Sequence, residues 1–497
     1  MSQAVDTAAA AAAANKQYRG QPRGLATLFL TEMWERFSFY GARAILILFM
    51  TATAARGGLG LSDKTASSIY GLYLAGSYFS GVLGGWISDR LIGAQRAVFA
   101  GGVFIMVGNA MLASGSTRVF FVGLLVTTLG VGMLKPNISA IVAQLYPEGG
   151  SRRDAGFSIF YMGINLGSVL GSLLVPVCAQ YFGWHTAFAL PALGMLFGLI
   201  QFLITRHTLG ASGVERAPDA KPGSWIPVIV LGAVIATFTA LALSGAVIID
   251  ANVVGTAASW AMAGLALGYF AYLVLFAGLE AAERQRVYVM AALFAGSVTF
   301  WAGYEQMGAS FNLFAARYTD RHLLGMEIPA GVLQGVNPIF IIVFAPVLAA
   351  VWLGLGRRHR DLAAPTKFAL GLLLLGAGFF VMYLASLHVI AGEKVLPTWL
   401  VLTYLLHTLG ELCLSPVGLS SMTKLAPTRF VGQVMGLWFL SLALGDNLAG
   451  QLSGEYDSSN LLSLPGLFLK IFWWGALGGL AMLLLTPLLK RLMGAVR

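Results

Sequence analysis

Residues 25–51 read L-A-T-L-F-L-T-E-M-W-E-R-F-S-F-Y-G-A-R-A-I-L-I-L-F-M-T, an apolar run of bilayer-spanning length that nevertheless carries Glu32, Glu35, Arg36 and Arg43. A charged side chain at bilayer depth costs about 2.5 kcal/mol or more, so each of these four is a candidate for function. At about 100° per residue, Glu32, Arg36 and Arg43 fall within about 40° of one another, with Glu35 and Phe39 bordering the same face. One stripe of the helix thus carries acids and bases together. Such groups neutralise each other in a water-poor setting, and a proton arriving on a glutamate would release its basic partner.

The remainder of the chain repeats the apolar pattern. It has 497 residues, of which 58% are hydrophobic and 10% charged, and a mean hydropathy of +0.78, which excludes a soluble globular protein. Its 61 glycines exceed the usual ~7% and suit helices that approach closely in lipid. The long runs lack period-2 alternation, so helices are predicted and a membrane β-barrel is not. Spans are expected near residues 25–51, 66–89, 97–115, 118–146, 155–181, 184–205 and 224–248, and then near 255–279, 287–316, 327–355, 366–389, 397–423, 430–453 and 465–489. With the N-terminus cytoplasmic, this count of fourteen places 21 Lys and Arg residues in inner segments and 6 in outer ones, the positive-inside bias. One span more or fewer would destroy that asymmetry. The net charge of +10 is therefore a membrane-topology signal, and no nucleic-acid partner is expected. Cys178 and Cys413 lie in apolar runs and form neither a disulfide framework nor a metal spacing.

The organisation follows from the loops. Residues 1–23 are expected to be a disordered tail, Ala-rich to Asn15 and without the basic start of a signal peptide. A six-helix bundle is expected over 24–206, a linker with two inserted packing helices over 207–285, a second six-helix bundle over 286–492 and a short tail over 493–497. With the inserted pair set aside, intramembrane charges fall on the first core helix, on the fourth (Lys135), on the seventh (Glu305), on the tenth (Glu411) and on the eleventh (Asp446). Bundles built from three-helix repeats line a midplane cavity with equivalent helices, and the first four positions follow that spacing. His407 lies inside a span with no nucleophile, metal or phosphate-loop constellation around it, so an enzyme is not expected, nor a metal or cofactor.

The stretch T-E-M-W-E-R-F-S-F-Y-G-A-R over residues 31–43 closely resembles the E-x-x-E-R-F-x-Y-Y signature of the proton-dependent oligopeptide transporters of the major facilitator superfamily. F-Y-M-G-I-N-L-G (160–167) is similar to that family's fifth-helix signature. L-K-P-N (134–137), F-W-A-G-Y-E-Q-M-G (300–308), N-P-I-F (337–340) and G-E-L-C-L-S-P-V-G-L-S (410–420) agree as well. Gly84, Gly85, Asp89, Arg90, Gly93 and Arg96 match the superfamily's motif between its second and third helices. Phe39 departs from the signature, which has Tyr there, while Tyr40 is kept. The resemblance implies an all-α membrane protein of the major facilitator fold, with 12 core helices in two six-helix halves plus the 2 inserted helices found in bacterial members.

By that resemblance, Arg36 and Lys135 would hold a peptide carboxylate, and Glu411 with Asn337 and Asn165 the amino end and backbone. Tyr40, Tyr78, Trp301 and Trp438 would line side-chain pockets. Glu32 and Glu35 would titrate against Arg36 and Lys135, and Glu305 would take a proton or pair with Arg43. Asp89, Arg90 and Arg96 would belong to a gate. The implied activity is inward symport of di- and tripeptides with protons as the coupling ion, by a monomer among lipids of a bacterial inner membrane, both termini cytoplasmic. Two alternatives lie in the same superfamily. A nitrate-like anion would leave Glu411 and Asn337 without an ammonium to contact, and a drug transporter would not need the Glu32, Glu35, Arg36 signature.

Overall fold

The computed structural model describes residues 17–18, 20–148, 150–214, 224–323, 325–358, 360, 362–456 and 460–494. Of the tails expected at 1–23 and 493–497, residues 1–16, 19 and 495–497 lie outside the described residues, as do Arg216 and Lys221 of the inner segments.

Among the described residues the chain forms fourteen helical spans. They are α1 (Arg23–Thr51), α2 (Asp63–Ile87), α3 (Ala94–Leu112), α4 (Thr117–Gln144), α5 (Gly150–Phe182), α6 (Trp184–Thr205), α7 (Ile226–Ser244) and α8 (Ala251–Leu275). There follow α9 (Ala281–Tyr304) and α10 (Ser310–Tyr318), which share one span, then α11 (Val336–Arg357), α12 (Ala364–Ile390), α13 (Thr398–Leu425), α14 (Val431–Ser453) and α15 (Ser463–Met493). Eleven spans are apolar enough to cross a membrane on composition alone. The other three are α1, α2 and α14, of which α1 carries the four-charge cluster and α14 carries Asp446. Two short antiparallel hairpins complete the structure, Gln17–Tyr18 with Gln21–Pro22 and His322–Leu323 with Met326–Glu327. The first trims the expected tail, because Tyr146 Oη donates to Gln21 Oε1 at 2.8 Å.

Two expectations need correction. The seventh core span is not one continuous α-helix: a 3-10 turn over Glu305–Gly308 separates α9 from α10. Polar side chains take up that break. Gln306 donates through Nε2 to Ala449 O at 3.0 Å, and its Oε1 accepts from Ser310 and Ser453 hydroxyls at 2.6 Å each. Of the inserted pair, only α8 packs as expected. Helix α7 has no buried residue, since an all-round apolar helix gains nothing from burial when its alternative surroundings are hydrocarbon. Helix α8 buries Met262, Ala266, Phe270 and Leu273, and Asn447 and Gln451 of α14 each donate to its Gly255 O and Ser259 Oγ, between 2.7 and 3.0 Å.

The chain packs as two compact units. The first runs to Ile45 and resumes over Gly76–Asp250, while the second comprises Leu46–Ala75 and the chain from Ala251 onward. In the first, α3 and α4 approach at Gly101 and Gly130, where an added Cβ on either would stand 2.7 Å from the other's carbonyl oxygen. In the second, α2 and α14 meet at Gly71 and Gly450, and a Cβ on Gly450 would stand 2.5 Å from Ser67 O. Asp63, at the start of α2, receives both guanidinium nitrogens of Arg317, at 2.7 and 2.8 Å.

Candidate functional site

In the first unit, the charged stripe of α1 is set by its packing on α5. Gly163, Gly167 and Gly171 form a ladder of four-residue steps beneath Phe29, Met33 and Phe37. A Cβ on Gly167 would stand 2.1 Å from Met33 O and 2.9 Å from Arg36 Cβ, so only glycine permits this approach. This accounts for the glycines of F-Y-M-G-I-N-L-G. Its Asn165 is buried and donates to Tyr161 O at 2.9 Å.

On that support Arg36 serves two acids. Its Nε lies 3.2 Å from Glu32 Oε1 and donates to Glu35 Oε2 in a shorter contact, with all three side chains at most 3% exposed. Glu32 Oε2, Glu35 Oε1 and Arg36 Nη2 have no hydrogen-bond partner among the described residues. A buried polar atom left unsatisfied costs about 1–3 kcal/mol, and a charged one more. Three of them in one cluster mark a place that a proton or a polar ligand would satisfy. The Arg36 guanidinium stands 5.3 Å over the Phe39 ring, so the residue that replaces the signature Tyr keeps the cation contact while lacking the hydroxyl. Arg43, also buried, stands 5.5 Å over Tyr40.

Lys135 is half-buried on α4, with Nζ 4.1 Å from the Tyr78 ring centroid. Its neighbours explain L-K-P-N. Pro136 removes one backbone donor from the helix interior, and Asn137 donates to Gly84 O at 3.3 Å and Met133 O at 2.6 Å, tying α4 to α2. Asp89, Arg90 and Arg96 are exposed around a π-helical turn, Ser88–Ile92, with Arg90 over Trp86 at 5.9 Å. Gly93 closes that turn at φ +81°, where a Cβ would also meet Val214 O at 2.5 Å. Gln95 Nε2 and backbone N then bond Ser212 O and Gly213 O, docking the motif on the segment after α6.

In the second unit, Glu411 of α13 is half-buried and accepts a hydrogen bond from Tyr304 Oη at 2.5 Å. Asn337 Nδ2 donates to Thr408 Oγ1 at 2.8 Å, and Thr408 in turn to Tyr404 O. Asn337, Thr408, Tyr304 and Glu411 thus come together around one face of α13. Glu305 is 6% exposed in the turn after α9. The two tryptophans sit differently from one another. Trp301 is buried against Gly445 with its Nε1 unpartnered among the described residues, whereas Trp438 is 2% exposed and wedged against Gly418 and Phe368, a packing position.

Tyr304 was not among the residues that sequence reasoning selects. On an unbroken helix it and Glu305 would point about 100° apart, and a tyrosine in an apolar run reads as packing. The signal available was its place directly before an intramembrane acid.

Similarity to known proteins extends over most of the chain. The family model described as POT family (PTR2) matches residues 95–462. The chain is 40% identical over 494 residues to the peptide transporter YePEPT of Yersinia enterocolitica subsp. palearctica, covering 96% of each chain. It is 35% identical over 504 residues to a di-/tripeptide transporter of Lactococcus lactis subsp. cremoris, covering 97% of this chain and 98% of the relative. A crystal structure of a peptide transporter POT in complex with sulfate matches at 40% identity and a TM-score of 0.91, over 98% of this chain and 99% of that one. A match that spans most of the chain, with relatives of the same length, places it among integral membrane transporters: the chain belongs to the POT family.

Proposed function

We propose that this protein is a proton-coupled symporter that imports di- and tripeptides by alternating access. The observation that carries the reading is the buried Glu32, Arg36, Glu35 cluster with one unsatisfied atom on each side chain. A protonatable acid beside a cation that a carboxylate would also seek is a coupling device. A proton on Glu32 or Glu35 weakens that acid's hold on Arg36 and leaves the guanidinium to the peptide carboxylate. The relatives named as peptide and di-/tripeptide transporters support the substrate class.

A short peptide is zwitterionic. By the family signature, Arg36 and Lys135 are assigned to the carboxylate and Asn165 to the peptide backbone, while Glu411 and Asn337 are assigned to the amino end. Tyr40, Tyr78 and Trp301 are proposed to line side-chain pockets, with Arg43 and Glu305 as gate partners and Asp89, Arg90 and Arg96 in the inner gate. Protons are the coupling ion, no cofactor is needed, and one chain among lipids completes the pathway. The 21-to-6 loop asymmetry supports a bacterial inner-membrane orientation with both termini cytoplasmic.

Glu32→Gln and Glu35→Gln in proteoliposomes test the coupling. Uptake driven by an inward proton gradient should fall at least tenfold while peptide counterflow without a gradient persists. Driven uptake at the parent rate in both variants would remove the cluster from coupling.

A further inference from the structure

Tyr304 is the last residue of α9 and is 5% exposed, so it is not itself open to a ligand. The ring is clamped from three directions. Phe300 stacks on it at 5.5 Å and 27°, Trp301 meets it edge-on at 5.1 Å, and His407 lies at 6.5 Å and 32°. His407 is itself fixed. It is fully buried, donates from Nε2 to Leu375 O at 3.2 Å, and fills the space opposite Gly378, where a Cβ would stand 2.5 Å from the imidazole. His407 and Glu411 are one helical turn apart on α13, so the clamp and the carboxylate belong to the same face.

The one polar atom of this clamped ring reaches Glu411 Oε2. A glutamate's terminal torsion is broad, and each hydrogen bond that a carboxylate accepts narrows the orientations it samples. A bond from a phenol held by three rings is in place before any ligand arrives, and preorganised groups bind more tightly because less ordering is left for the binding step.

We propose that Tyr304 is a positioning residue that sets the specificity for a ligand's free amino group, acting through Glu411. The inference rests on the amino-end role proposed for Glu411 and deepens it. The class selected is the primary α-ammonium of a peptide, and the class discriminated against is the N-acylated peptide, whose neutral amide cannot form an ion pair with a carboxylate.

The test is Tyr304→Phe, which removes one oxygen and keeps the ring. Transport of labelled alanyl-alanine, and competition by unlabelled alanyl-alanine and its N-acetyl derivative, are measured in proteoliposomes. The KM for the free-amine peptide should rise about tenfold with a much smaller change in kcat, while competition by the N-acetyl derivative shifts less than twofold. Equal weakening of both ligands, or no change in either, would overturn the proposal. Glu411→Gln separates the two levels of the argument. If it leaves the preference for a free amine intact, the role of Glu411 fails and this inference with it. If it abolishes the preference and Tyr304→Phe does not, the inference alone fails. Adding Tyr304→Phe to Glu411→Gln should lower the preference no further, and an additive loss would show that Tyr304 does not act through Glu411.

Discussion

At Arg36 one guanidinium nitrogen faces two acids, and Nη2 has no partner among the described residues. A lysine ammonium would be a point charge on a shorter reach, unable to face both carboxylates and still present a second nitrogen to a ligand in the fixed geometry of a planar fork. Arg36→Lys is therefore expected to weaken dipeptide binding at least tenfold while keeping the charge balance of the buried cluster. Competition binding at fixed pH measures this, and parent-like affinity would remove Arg36 from carboxylate recognition. The cluster was legible because charge in an apolar run is costly and helical periodicity is simple. Tyr304 was not, because its role depends on three packed rings, which residue spacing does not encode.

At the scale of elements, the glycines that distinguish this sequence do different things. Gly167 on α5 has Met33 O where a side chain would begin, while Gly268 on α8 has nothing within 4 Å. Alanine at either position gains up to about 1 kcal/mol of helix propensity. At Gly167 that gain is opposed by overpacking of about 1–3 kcal/mol, and the clashing atom is backbone, which cannot swing aside. Gly167→Ala should consequently lower the melting temperature in detergent and reduce peptide uptake, by pushing α1 and Arg36 off α5. Gly268→Ala should leave both unchanged or raise the melting temperature slightly, and equal behaviour of the two variants would refute the packing argument. Span number and order followed from hydropathy and loop charge. The turn at Glu305–Gly308 did not, because Gly303 and Gly308 are unremarkable in a membrane helix. Nor did the contrast between α7 and α8, where Asn447 and Gln451 bond to α8 from a helix nearly two hundred residues away.

On the scale of the whole molecule, Leu46–Ala75 belongs to the same compact unit as the C-terminal helices, although it lies early in the chain. Its attachments in that unit are specific. Arg317 holds Asp63 in a two-pronged pair, Ser68 Oγ donates to Asn252 Oδ1 at 2.8 Å at the start of α8, and Gly71 meets Gly450 backbone to backbone. Ser67, completely buried, lies at the centre of this seam. By the expected topology the seam is at the outer ends of the helices, and an alternating-access cycle must open it once per turnover. Two hydrogen bonds between charged groups contribute about 1–3 kcal/mol when partly solvated, as here, so losing them should raise the open population about 5- to 160-fold. Arg317→Ala is thus expected to speed labelling of a Ser67→Cys reporter by an externally added, membrane-impermeant maleimide at least fivefold, in a background lacking Cys178 and Cys413. Asp63→Asn should speed it by a similar factor, and combining the two should add little, because either alone dissolves the pair. Unchanged labelling in both single variants would mean that Gly71 and Gly450 hold the seam without help from the charges.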